Sequence, residues 1–212
     1  MPGLHGFGIC NCAEESAQLG LTAKWLNPWI ALDQATALNV DDGDIKTVLF
    51  KKYDERTMDD LGWVRTPPDD NELLAFIPFS SPVQVLQSIF VIGGEGGKHP
   101  RKVRLFANPP PACTEFSDFC DRTPEQEIDL AEDLCGAVEY PVRATKFSNL
   151  TMLVMHFQTD EAAEEKEIFW IGLKGTPTEW KRQAVITVYE SQAQAADHEA
   201  PDDAFAANMM QH

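Results

Sequence analysis

From residue 45 onward the apolar residues of this chain come in short blocks of seven to twelve, each closed by proline, glycine or clustered polar residues. That punctuation constrains the fold more than any other feature, because it leaves little room for a long amphipathic helix. The blocks are IKTVLFKKY (45–53), ELLAFIPF (72–79), PVQVLQSIFVIG (82–93), KVRLFAN (102–108), PVRATKF (141–147), NLTMLVMHF (149–157), EIFWIGLKG (167–175) and RQAVITVYE (182–190). They are rich in β-branched and aromatic residues, and TPPDD, FSSP, GGEGGKHP, ANPPPAC and KGTPTEW separate them. Many short strands with frequent turn signals predict an all-β sandwich or barrel with short helical pieces.

Alternation sharpens the expectation. In KVRLF, Val103 and Leu105 should face one way and Lys102 and Arg104 the other. NLTMLVMHF is apolar on both faces, which predicts a strand inside a sheet, with its second face covered by a loop or by the N-terminal arm. The best helical segment is TPEQEIDLAEDL (123–134), where Thr123 suits an N-cap and Pro124 the first turn; a loop with a single helical turn fits as well. Residues 22–39 predict a short helix or turn, interrupted at Asn27-Pro28.

The organisation expected is a flexible arm at 1–18, one β-domain at 19–190 and an acidic, mobile tail at 191–212. No apolar run reaches membrane length, and no basic, apolar leader opens the chain. The formal charge is −17, which disfavours nucleic acid as a partner. The acids gather at 41–44, 54–72, 160–167 and in the tail, where solvated loops are the ordinary explanation. Five cysteines at uneven spacing make a poor disulfide framework, so a reducing compartment is expected, cytoplasmic with the nucleus also accessible.

Few motifs carry chemistry. His5, Cys10 and Cys12 could supply three zinc ligands, but one residue separates the cysteines and no second pair follows. Exposed thiols on an arm, with no metal and no cofactor, are the expectation. GGEGGKHP lacks the Ser or Thr and the helix of a phosphate-binding loop, so a turn between strands is expected. No nucleophile elbow accompanies the five histidines; His156 is expected at the edge of the core, hydrogen-bonded. His212 ends the chain, where an ordinary tail position is the simple account. Lys98, His99, Arg101, Lys102 and Arg104 form the candidate partner-binding stretch of an otherwise acidic protein, with the acidic loops as the other surfaces expected to take part. Their charges could instead pair with the protein's own acidic loops. Reversing Lys102 and Arg104 is expected to weaken partner capture without lowering the melting temperature. DDGD (41–44) with Trp63 is a second candidate, for calcium-assisted binding of a small ligand or glycan, although it lacks a spaced series of oxygen ligands.

The ordered series DDNELLAFIPFSSPVQVLQSIFVIG, HPRKVRLFANPP, FSNLTMLVMHF, IFWIGLKG and VYESQAQAADH resembles the PITH domain family, over roughly residues 19–198. The resemblance implies a jelly-roll β-sandwich similar to galactose-binding-like domains. It also implies a binding role, with the proteasome as partner of the thioredoxin-fused relatives. The chain has no CxxC, so their redox activity is not carried over, and the family supplies no catalytic residues to transfer. The combined expectation is a non-catalytic, monomeric protein-interaction module. A small-ligand or glycan binder, and a thiol or metal protein acting through Cys10 and Cys12, are the alternatives.

Overall fold

A computed structural model describes residues 23–158 and 165–178. The expected arm, the tail, the limits of the β-domain at 18/19 and 190/191, the strand at 182–190, and His5, Cys10, Cys12, His198 and His212 lie outside the described residues.

The strands are β1 (Lys24–Trp25), β2 (Thr36–Leu38), β3 (Val64–Arg65), β4 (Leu73–Gly93), β5 (Lys102–Ala107), β6 (Gln126–Asp129), β7 (Tyr140–Pro141), β8 (Ser148–Gln158) and β9 (Glu167–Pro177). All pair antiparallel, in the order β1-β9-β4-β8-β5-β6, with β2 and β7 added to β4 and β3 to β9. The protein is therefore all-β with short helical pieces, as its punctuation predicts.

One strand organises the rest. The blocks at 72–79 and 82–93, expected as two strands, run together as the 21-residue β4. Residues 73–78 pair with β8 on one side, and β2 pairs with 74–76. Residues 83–93 pair with β9, and β7 with 88–89. The ladder to β8 breaks register between Pro78 and Val83, around FSSP, where Pro82 lacks an amide donor. The two halves of the structure are thus parts of one hydrogen-bonded sheet.

Both halves turn one face to the main core. Leu73, Ala75 and Ile77 of β4 join Ile89 and Val91 there, with Val103 and Leu105 of β5, Leu153, Met155 and Phe157 of β8, and Ile171 and Leu173 of β9. The intervening residues form two outer clusters. Leu74, Phe76, Phe106 and Val154 pack with Phe119, which the segment 109–122 folds over them. Phe90, Ile92, Phe169 and Trp170 pack with Trp25 and Tyr53. This explains why β4 and β8 are apolar at consecutive positions, and β8 is internal, as expected. In β9, Gly93 pairs with Ile168 and Ile92 with Trp170, so Phe169 is an extra residue. Such a bulge puts both Phe169 and Trp170 on the outer side.

Three local expectations are corrected. Residues 45–53 begin as a short α-helix, Ile45–Val48, because the Asp44 side chain accepts the Lys46 amide and caps it; Val48, Leu49 and Phe50 are then buried in succession rather than alternately. Within 123–134 the chain forms β6 and not a helix: Ile128 packs against the core, and Glu127 and Asp129 stand opposite Arg104 and Lys102 of β5. Only Tyr140–Pro141 of the block around 141–147 is strand; Lys146 and Phe147 then donate to the Arg143 carbonyl in a turn. The expected helix or turn at 22–39 is a 3-10 turn at Asn27–Trp29.

Asn27 locks this turn to the sheet. Its side-chain amide donates to the carbonyls of Lys51 (3.0 Å) and Ile171 (2.9 Å), and its oxygen accepts the Leu173 amide (3.1 Å). At 3 % exposure, none of these groups can turn to water instead. Asn27→Ala should therefore lower stability by about 3 kcal/mol, since unpaired buried polar groups each cost ~1–3 kcal/mol. The check is the urea midpoint; an unchanged midpoint contradicts this account of the turn.

Candidate interaction surface

The loop 94–101 carries the first residues of the basic stretch from β4 to β5 and is fastened at its base. Gly94 donates to the Glu167 carbonyl, Glu167 to the Lys98 carbonyl, and the Lys166 ammonium to the Gly97 carbonyl. A side chain at Gly94 would crowd this base: a Cβ would lie 2.9 Å from the Glu167 Cβ and 3.0 Å from the Lys98 Cβ. The Lys98 ammonium binds Glu165 (2.7 Å) and Glu167 (3.0 Å), and Arg65 Nε approaches Glu167 to 3.1 Å. Hydrogen bonds to Glu165 and Glu167 raise the Lys98 pKa, and the same contact lowers that of Glu165. The GGEGGKHP segment is thus a turn between strands, as expected.

The other members of the stretch are also engaged with the chain itself. His99 is buried, its Nδ1 2.7 Å from the Pro100 carbonyl, and its ring lies over Gly93. Arg101 and His99 line a recess of about 140 Å³ with Leu130, Ala131 and Glu132. Lys102 meets Glu127 at 3.4 Å. Arg104 donates to the carbonyls of Phe119, Cys120 and Arg122, holding the segment that covers Phe106 and Val154. Arg104 thus has a structural task, and its reversal is expected to lower the melting temperature as well.

A different surface stands out, inside the acidic stretch 54–72 that includes Trp63. Met58, Leu61 and Trp63 are exposed by 50 %, 46 % and 39 %, within six residues of one loop. The loop is braced from below. The Trp63 ring packs on Phe169, centroids 5.1 Å apart. The Lys51 ammonium sits 3.5 Å over the same Phe169 ring and donates to the Met58 carbonyl at 3.1 Å. Lys51 is itself buried, and its carbonyl accepts from both Asn27 and Trp170. The bulge in β9 turns the buried Phe169 to this side and thus supplies the platform.

The DDGD turn does meet Trp63. Gly43, at φ +98°, lies so close to the Trp63 carbonyl that a Cβ would fall 2.1 Å from it, and Asp42 bridges to Arg65. The turn's carboxylates have local tasks: Asp42 accepts its neighbour's amide, and Asp44 caps the short helix. Among the described residues no three His, Cys, Asp or Glu side chains converge for a metal ion. Cys113, Cys120 and Cys135 are free thiols.

Two buried titratable groups contribute to the acid response. His156, fully buried on the outer face of β8, donates from Nε2 to Glu72 at 2.8 Å, with Phe116 at its edge. Burial lowers its pKa, Glu72 opposes that, and Arg104 adds to the lowering. For Asp133, burial pushes the pKa up, but the amides of Val138, Cys135 and Gly136 outweigh it and bring the pKa below the usual value. Both groups resist protonation more in the folded chain than in the unfolded one, so the unfolded chain takes up more protons in acid. Stability should fall as pH drops below about 6.5, by up to about 1.4 kcal/mol per unit from His156, and again below the ordinary aspartate range. His156→Gln should flatten the first of these slopes, measured by thermal melts from pH 8 to 4. Arg104→Glu should cost about 3 kcal/mol at pH 7 by releasing three carbonyls; a melt like the wild type's contradicts its structural role.

Comparison with known proteins follows the same outline. The PITH domain family model matches residues 17–193. PITH domain-containing protein 1 of Mus musculus is 37 % identical over 199 residues, covering 92 % of this chain and 91 % of that protein; the Homo sapiens protein gives the same figures. PITH domain-containing protein ZK353.9 of Caenorhabditis elegans is 39 % identical over 178 residues, covering 82 % of each. Among solved structures, an F5/8 type C domain from Bacteroides fragilis has a TM-score of 0.43 at 12 % identity, covering 74 % of this chain and 97 % of that one. CBM32 of AlyQ has a TM-score of 0.45 at 9 % identity, covering 66 % of this chain and 92 % of that one. The extent and identity of the sequence matches lead to one conclusion: this chain belongs to the PITH domain family.

Proposed function

We propose that the protein is a non-catalytic interaction module, a stiff β-scaffold whose loops bind a protein partner. The observation that carries this reading is the set Met58, Leu61 and Trp63. Large apolar side chains are normally exposed singly; three on one braced loop are costly to hold in water unless something covers them. Aromatic and aliphatic anchors with a rigid base are the usual centres of protein–protein binding energy. The resemblance discussed above names the proteasome as the first partner to test. The basic stretch 98–104 remains a second contact region in this proposal, through the exposed Arg101. A monomer acting in the cytoplasm or nucleus is the working form.

A small-ligand reading is the runner-up, because Trp63 lies against the acidic DDGD turn. It requires that millimolar calcium or a soluble saccharide raise the melting temperature.

The test of the main reading is capture of proteasome subunits from cell extract at low salt by the immobilised protein. Met58→Ser/Leu61→Ser should reduce capture at least about tenfold, the effect of losing a binding hot spot of ~1.4 kcal/mol or more. Both side chains are about half exposed, so the fold should be unaffected. Equal capture by the variant removes this surface from the function.

A further inference from the structure

We infer that the Met58–Leu61–Trp63 loop is built to receive a basic amphipathic helix from the partner; the inference rests on the reading of this loop as a docking surface. The argument is one of charge around an apolar centre. Residues 41–63 hold Asp41, Asp42, Asp44, Asp54, Glu55, Asp59 and Asp60 against Lys46, Lys51, Lys52 and Arg56. Two of the four cations are withdrawn. Lys51 is buried beneath the loop. Arg56 lies over the Tyr53 ring and donates to the carbonyls of Tyr53 and Cys135. Lys46 and Lys52 are exposed, Lys46 with its ammonium on the Asp33 carbonyl, so acids outnumber the exposed cations.

The acids are placed outward. Asp41, Asp42, Asp44, Asp54 and Asp60 are exposed. The DDGD turn is held against the Trp63 backbone by the close approach of Gly43 and by the pairing of Asp41 and Asp42 with Arg65. The exposed apolar residues therefore lie in a stretch with five exposed carboxylates, in a protein of net charge −17.

That pattern selects its occupant. Anionic lipid surfaces and nucleic acids are repelled by it. An added strand would dock through backbone ladders, whereas this surface offers side chains. A helix with apolar residues at i, i+3, i+4 and i+7, flanked by lysine or arginine, presents one apolar stripe edged with cations, the complement of apolar anchors set among exposed carboxylates. Cationic flanks would also speed encounter in the acidic field.

The experiment uses the full chain and two fluorescently labelled 18-residue peptides. Both carry leucine at helical spacing; one has lysine and the other glutamate at the remaining positions. Anisotropy should show saturable, 1:1 binding of the lysine peptide and none of the glutamate peptide. Met58→Ser/Leu61→Ser should weaken the lysine peptide at least about tenfold, and Asp54→Asn/Asp60→Asn about threefold or more. Raising salt from 50 to 500 mM should weaken it by about tenfold. Binding that is the same in wild type and Met58→Ser/Leu61→Ser overturns the inference, because charge alone is then responsible. Binding of both peptides overturns it too. Self-association of the wild type, abolished in that variant, would assign the surface to a second copy and overturn it as well. Failure of the lysine peptide alongside lost proteasome capture in the variant refutes the helix and leaves the docking surface; unchanged capture refutes the surface itself.

Discussion

The continuity of β4 is the constraint on which the rest of the molecule depends. Its 21 residues serve both halves of the sheet, pairing with β2 and β8 before the register break and mainly with β7 and β9 after it. Because its side chains alternate between a shared inner core and two separate outer clusters, it cannot shift register by one residue without moving every one of them to the wrong face. The outer clusters need covers, and the segments that supply them carry much of the rest of the chain: 109–122 over Phe106 and Val154, and Trp25 with Tyr53 over Phe90 and Trp170.

Polar side chains hold these covers in place. Arg104 fastens one, Asn27 another, and Glu167, with Lys98 and Arg65, fastens the turn after β4. The basic residues that look like a docking patch in the sequence are mostly occupied in this way. The apolar loop differs: held up by Lys51 and Phe169, it keeps three large apolar side chains within six residues at the surface, in an acidic stretch. A rigid base with exposed anchors loses little order on binding, which is the physical reason to favour it as the place of contact.

The fold was largely legible, and the reasons it failed locally are specific. Strands β5, β8 and β9 follow from apolar composition and turn punctuation, and the both-sided apolarity of NLTMLVMHF correctly marks an internal strand. TPEQEIDLAEDL misled because Thr123, Pro124 and the acids mimic a helix start, while its acids in fact face Lys102 and Arg104 across a strand pair, a partner no local pattern reveals. IKTVLFKKY has strand composition, but Asp44 caps a helix before it and burial follows three successive residues. The site was less legible. Trp63 with DDGD stands out as a candidate site in the sequence, yet Met58 and Leu61 look unremarkable there; the brace beneath them combines Lys51 with a bulge at Phe169, a residue distant along the chain. Conversely, Lys98 and Arg104 are conspicuous in sequence because their partners at 165–167 and 119–122 are not adjacent.

If β4 makes the molecule one cooperative sheet, native-state hydrogen exchange is the direct test. Peptides from the two ends of β4, around residues 74–78 and 89–92, should exchange only through global opening, with the same free energy and the same denaturant dependence. A difference of more than about 2 kcal/mol between the two ends would mean that the halves open separately, and would contradict the account.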